Sequence, residues 1–132
     1  MPVTFTADHA TRRILAVATG TLSLDEYLAH VRARAASGVL AYEQVLVMRA
    51  ATFGFGTAAL EPILDAIRAG RNEPPQGNTA IVAVDDATYW LARQFCSCAE
   101  LLGYRAERFR SVTEAEEWLR NARSVGEHVT PR

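Results

Sequence analysis

Two short stretches of the chain are apolar without alternation: Val45-Leu46-Val47-Met48, and Ala80-Ile81-Val82-Ala83-Val84 following Thr79. Both are short and rich in β-branched residues, so both read as strands. A strand with no polar face has both faces covered, which suits a central strand packed between helices. That single requirement organises the rest of the reading.

The flanking segments supply the helices. Ser23-Leu24-Asp25-Glu26 is a capping box, and Leu24, Tyr27, Leu28, Val31 and Ala35 follow on one helical face. Arg32 and Arg34 are predicted to lie off that face, with Gly38 as the stop. A second helix begins near Ala59, with Pro62 in its first turn and Leu60, Ile63, Leu64 and Ile67 inward, and Gly70 closes it. A third starts at Asp85 or Asp86 and carries Trp90, Leu91, Phe95, Cys98, Leu101 and Leu102 to Gly103. A fourth is capped by Ser111 or Thr113, both of which satisfy the capping-box spacing, and packs Trp118, Leu119 and Ala122.

Before these, Val3 to Asp8 alternates with period two, and Arg12 to Ala18 is its hairpin partner, ended by Gly20. Arg105 to Phe109 is a last strand. The stretches Arg49 to Thr57 and Asn72 to Asn78 read as loops. The expected fold is α/β: a mixed sheet of about five strands, an N-terminal hairpin then parallel strands, with about four helices. Residues 1–123 form one domain, and 124–132 are a polar tail expected to be disordered.

Composition narrows the function classes. The chain has 132 residues, 14 Lys+Arg against 15 Asp+Glu, and a formal charge of -1. No basic excess marks a nucleic-acid surface, and no apolar run is long enough for a membrane span. Met1-Pro2-Val3-Thr4 carries no leader pattern, and with two cysteines the expected setting is cytoplasmic.

Candidate chemistry is sparse. Gly54-Phe55-Gly56-Thr57-Ala58-Ala59 satisfies G-x-G-x-x-A, but five residues separate it from Met48, which weakens a dinucleotide reading. Cys96 and Cys98 face different sides of a helix and suit neither a disulfide nor a shared metal. His9, His30 and His128 are scattered, so no metal site is expected. Asp85-Asp86 reads as a helix cap, and Arg12-Arg13, Arg32-Arg34 and Arg105-Arg108-Arg110 as solvated faces. Trp90, Phe95 and Trp118 read as core. Phe53 and Phe55, placed between glycines, either fold onto the core or present an apolar patch.

Three stretches together resemble STAS-like domains, the fold of sulfate transporters and anti-sigma-factor antagonists, over residues 3–122. They are Gly20-Thr21-Leu22-Ser23-Leu24-Asp25-Glu26-Tyr27, Ala80 to Asp86 with Leu91-Ala92-Arg93, and Phe109 to Leu119. The resemblance implies a small bacterial, non-enzymatic interaction module working through an unidentified protein partner, or as a homodimer, with no cofactor. In the antagonist branch a Ser after Asp at the start of the second helix is the phosphorylated switch. Here Phe55 and Gly56 stand at those positions, and Thr57 keeps a hydroxyl one place later. Thr57 is therefore read as a helix cap, with a substitute phosphosite as the alternative. The expected contact surface is Thr52, Phe53, Gly54, Phe55, Gly56, Thr57 and Leu60. A second reading is a small apolar-ligand module, like the lipid-binding CRAL-TRIO fold, with a pocket between helices and sheet lined by Met48, Phe53, Phe55, Leu60 and Trp90. A third is a nucleotide-binding protein or enzyme using the glycine loop.

Overall fold

The computed structural model describes residues 3–70, 77–99 and 105–129. Its strands are β1 (Val3–Asp8), β2 (Arg13–Leu22), β3 (Glu43–Phe53), β4 (Thr79–Val82) and β5 (Ala106–Phe109). Its helices are α1 (Leu24–Ala36), α2 (Leu60–Gly70, entered through a 3₁₀ turn at Thr57–Ala59), α3 (Asp86–Ala99) and α4 (Val112–Val129). The sheet order is β1-β2-β3-β4-β5, antiparallel between β1 and β2 and parallel thereafter. The mixed five-stranded sheet with four helices is the predicted architecture. The helix of α4 continues past Ser124 to Val129.

Each step from β2 to β5 moves one strand in the same direction. Right-handed crossovers then place the three connecting helices on one face. Tyr27, Leu28 and Val31 of α1, Ile63 of α2, and Ala92 and Phe95 of α3 accordingly pack with Ile14, Ala16, Leu46, Met48 and Ile81. Helix α4 returns across the other face, where Ala115 and Leu119 meet Val45, Ala80 and Val82. The two runs without a polar face are thus the strands sandwiched between layers.

Local chemistry sets the helix ends. Ser23 and Glu26 exchange both bonds of the capping box. Val39 and Gly38 donate to the Arg34 and Ala35 carbonyls, closing α1 in the Schellman pattern. Asp85 rather than Asp86 caps α3, accepting from the Thr88 N–H at 3.0 Å. Ser111 rather than Thr113 caps α4, accepting from the Glu114 N–H at 3.2 Å.

Four expectations need correction. Strand β2 does not stop at Gly20. A register shift between Val17 and Thr19, with Gly20 at φ 70°, lets the ladder continue to Leu22. Strand β3 therefore extends through Phe53, because Ala50, Ala51, Thr52 and Phe53 pair with that added length of β2. Arg49 to Phe53 is strand, and the loop shrinks to Gly54–Gly56. Arg34 is 1% exposed rather than solvated: it sits three residues after Val31, on the inward face. Trp90, assigned to the core, is 56% exposed. Among the described residues, no helix is long and apolar enough to cross a membrane.

Candidate functional site

The C-terminal ends of β3 and β4 and the first turn of α3 enclose an open groove of about 340 Å³. Open α/β sheets bind ligands at this end of their strands, where loops rather than helices close the surface. Thr52 and Phe53 reach the groove from the end of β3, and Phe55 and Gly56 from the loop. Asp85, Ala87, Thr88, Trp90 and Leu91 form the opposite wall.

The aromatic wall is held from below. Phe53 and Phe55 pack with ring centroids 5.0 Å apart, and each meets Tyr27 of α1, at 6.2 and 6.3 Å. Gly54 is tied back by its N–H to the Leu22 carbonyl at 2.7 Å. A Cβ at that glycine would lie 2.8 Å from Thr21 Cγ2 and 3.1 Å from the Leu22 carbonyl oxygen, so a side chain there would force Thr21 to move. The two phenylalanines both fold onto the core and present their remaining surface to the groove. On the opposite wall, Asp85 Oδ2 accepts from the Thr88 N–H and, at 3.2 Å, from the Thr88 hydroxyl. The Thr88 side chain is buried, which fixes the carboxylate.

Most of the predicted surface is therefore gathered in one place. Thr52, Phe53, Phe55 and Gly56 line the groove. Leu60 faces an enclosed recess behind it, with Tyr27, Phe53, Phe55, Ile63, Ile81, Leu91 and Phe95. That recess holds only about 10 Å³, room for no apolar ligand, and Met48 is buried in the sheet rather than lining it. The side chains of Thr57 and Cys98 lie outside the described residues. Sequence reasoning missed Asp85 and Thr88 as site residues. The available signal was topological: consecutive parallel strands bring the start of α3 beside the end of β3.

Tyr89 lies between two guanidinium groups, Arg108 at 4.0 Å and Arg110 at 3.8 Å from its ring centroid. Arg110 also donates to Asp86 Oδ1 at 3.0 Å and to the Val84 carbonyl. Arg108 donates to the Tyr89 carbonyl at 3.0 Å. Both arginines, predicted as solvated, lay their flat cationic faces on the ring; Arg110 does so while remaining exposed, and Arg108 is half-buried.

Beneath α1 lies a buried polar pair. His30 Nε2 and Gln44 Oε1 are 3.0 Å apart, and Phe5 meets the imidazole edge-on. Burial, and then the Arg34 charge, push the His30 pKa down to about 4, so the ring is neutral. Gln44 Nε2 finds no acceptor among the described residues. Cys96 is also buried, and desolvation, with Glu107 adding to it, raises its thiol pKa to about 12. The thiolate, the reactive form, is correspondingly scarce. Among the described residues, no three His, Cys, Asp or Glu side chains gather in a geometry that would hold a metal.

Comparison with known proteins identifies the fold. No protein-family model matches the chain, and no curated protein matches it. Among solved structures it is similar to an uncharacterized protein of the DUF3478 family from Shewanella loihica, described as having a SpoIIAA-like fold. The two are 12% identical, and the match covers 89% of this chain and 93% of that one with a TM-score of 0.59. The strand order and helix layers described above are therefore those of the SpoIIAA-like, or STAS-like, fold.

Proposed function

We propose that this protein is a non-catalytic, regulatory interaction module that binds a protein partner at the groove between the end of β3 and the start of α3. The observation that carries the reading is Trp90. A large aromatic side chain stands 56% exposed on the rim of an apolar groove of about 340 Å³. Trp is among the residues most enriched at interaction hot spots, and here it stands beside two further aromatic rings, Phe53 and Phe55. The thiol and imidazole chemistry supports the same side: the buried Cys96 is held protonated and the buried His30 neutral.

The groove occupies the place where the resemblance to antagonist STAS domains puts the phosphorylated Ser. With Phe55 and Gly56 there, this protein reads its partner through an aromatic surface rather than a phosphate at that position. Pairwise binding of the purified chain to the products of genes adjacent to its own tests this. A partner that binds the native chain and is lost on Phe55→Asp supports the reading. Absence of any partner, or equal binding by the variant, overturns it.

A further inference from the structure

We propose that the groove receives a basic side chain, arginine in the first instance, projecting from the partner polypeptide. The inference rests on the groove being the partner surface and adds the chemistry that it recognises.

The first turn of α3 already holds cationic side chains on one side. This turn carries two carboxylates, Asp85 and Asp86, and two aromatic residues, Tyr89 and Trp90. On one side, Tyr89 and Asp86 hold the guanidinium of Arg110, 3.8 Å from the ring centroid and 3.0 Å from the carboxylate. On the other side, Trp90 and Asp85 both line the groove, and no arginine is among the described residues that line it. The chain thus covers Tyr89 with its own Arg108 and Arg110 and leaves Trp90 and Asp85 on the groove without an arginine among the described lining residues.

The groove has the features that a guanidinium needs. Aromatic faces carry negative charge density, and Trp binds cations best of the three aromatic side chains. Phe53 and Phe55, tilted 47° to each other, add two more rings. Asp85 is the one ionisable group among the described lining residues. Its Oδ2 is occupied by Thr88, and Oδ1 accepts no hydrogen bond from the described residues, so one oxygen remains for an incoming donor. Asp86 is paired with Arg110, and Arg108 also lies over Tyr89, so the charge presented to the groove itself is the Asp85 carboxylate.

The experiment uses the Trp90 indole N–H resonance of ¹⁵N-labelled full-length chain, assigned by its loss in Trp90→Phe. The probes are N-acetyl-arginine amide, the neutral isostere N-acetyl-citrulline amide, and tetramethylammonium. The expected result is a saturable shift with the arginine probe in the millimolar range, and binding at least about tenfold weaker for citrulline. Asp85→Asn keeps the cap, because Asn caps helices as well as Asp does, and is expected to weaken the arginine probe by about tenfold with the spectrum otherwise unchanged. Equal binding of arginine and citrulline, no saturable shift with either, or an Asp85→Asn chain that binds as before would overturn the proposal. So would tetramethylammonium binding tighter than arginine, which would assign the groove to a quaternary ammonium ligand. These outcomes are separate from the partner test: a partner lost on Phe55→Asp but indifferent to Asp85→Asn leaves the groove as the partner site and removes only the arginine.

Discussion

Leu15 and Val45 are direct neighbours, paired across β2 and β3 with side chains on the same face of the sheet. Val45 is 1% exposed and Leu15 is 45% exposed. The next pair on that face repeats the contrast, with Val17 exposed and Val47 half-buried. One helix makes the difference. Helix α4 covers β3, β4 and β5 through Ala115 and Leu119, and leaves the hairpin half of the face open. Burial on this face is thus set by the reach of a single element, and not by any property of the strands themselves.

The largest effect expected from that contrast is at Leu119, which is fully buried between α4 and the sheet. Leu119→Ala removes the side chain that joins the layers and is expected to cost about 3 kcal/mol by urea unfolding. A loss below about 1 kcal/mol would mean that α4 contributes little to the sheet, and the comparison would collapse.

The opposite face differs in kind. Under α4 the buried residues are apolar, whereas under α1 they include His30, Gln44 and Arg34. With its pKa lowered to about 4, His30 is protonated in the unfolded chain before the folded one. Its contribution is fully present above the ordinary His range near 6.5, shrinks as pH falls, and is gone below about 4. Between pH 7 and 4.5 the native chain should lose about 2 kcal/mol more than a His30→Gln chain measured alongside. Parallel losses in the two chains would show that the imidazole is not held neutral by the fold.

A smaller change tests how α4 is seated. Ser111→Ala removes the cap that orients its first turn and should cost about 1 kcal/mol, with Ser111→Asn recovering most of it. If Thr113→Ala proved the costlier substitution, the helix would begin two residues further along than the Ser111 bond implies.

Much of this architecture was legible because it rests on periodicity and capping. The unbroken runs at Val45–Met48 and Ala80–Val84 marked central strands, and Ser23-x-x-Glu26 marked the start of α1 to the residue. What failed were positions decided by a neighbour. Arg49 to Phe53 has no strong alternation and pairs only because β2 runs on past the register shift between Val17 and Thr19 to Leu22. Arg34 was read by its charge, although its spacing from Tyr27 and Val31 put it inside. Of the candidate site, Thr52 to Gly56 was legible from its odd aromatic–glycine composition. Asp85 and Thr88 were not, since their role depends on which strand ends lie side by side. Trp90 belonged to the apolar set of α3 by spacing, yet no element among the described residues covers it and it is exposed.

The smallest predicted effect returns to the open half of the far face. If nothing covers the hairpin, Leu15→Thr exchanges one strand-compatible exposed side chain for another. It should then change stability by no more than about 0.5 kcal/mol, independently of protein concentration. A second copy of the chain seated on Leu15 and Val17 would behave differently. Dimerisation adds stability by mass action, so the native Tm would rise with concentration and Leu15→Thr would remove that dependence. The near-zero result would make α4 the sole cover of this face among the described elements. The concentration-dependent result would make the hairpin a dimer surface, separate from the groove and lying on the opposite side of the sheet from Tyr27, Phe53 and Phe55.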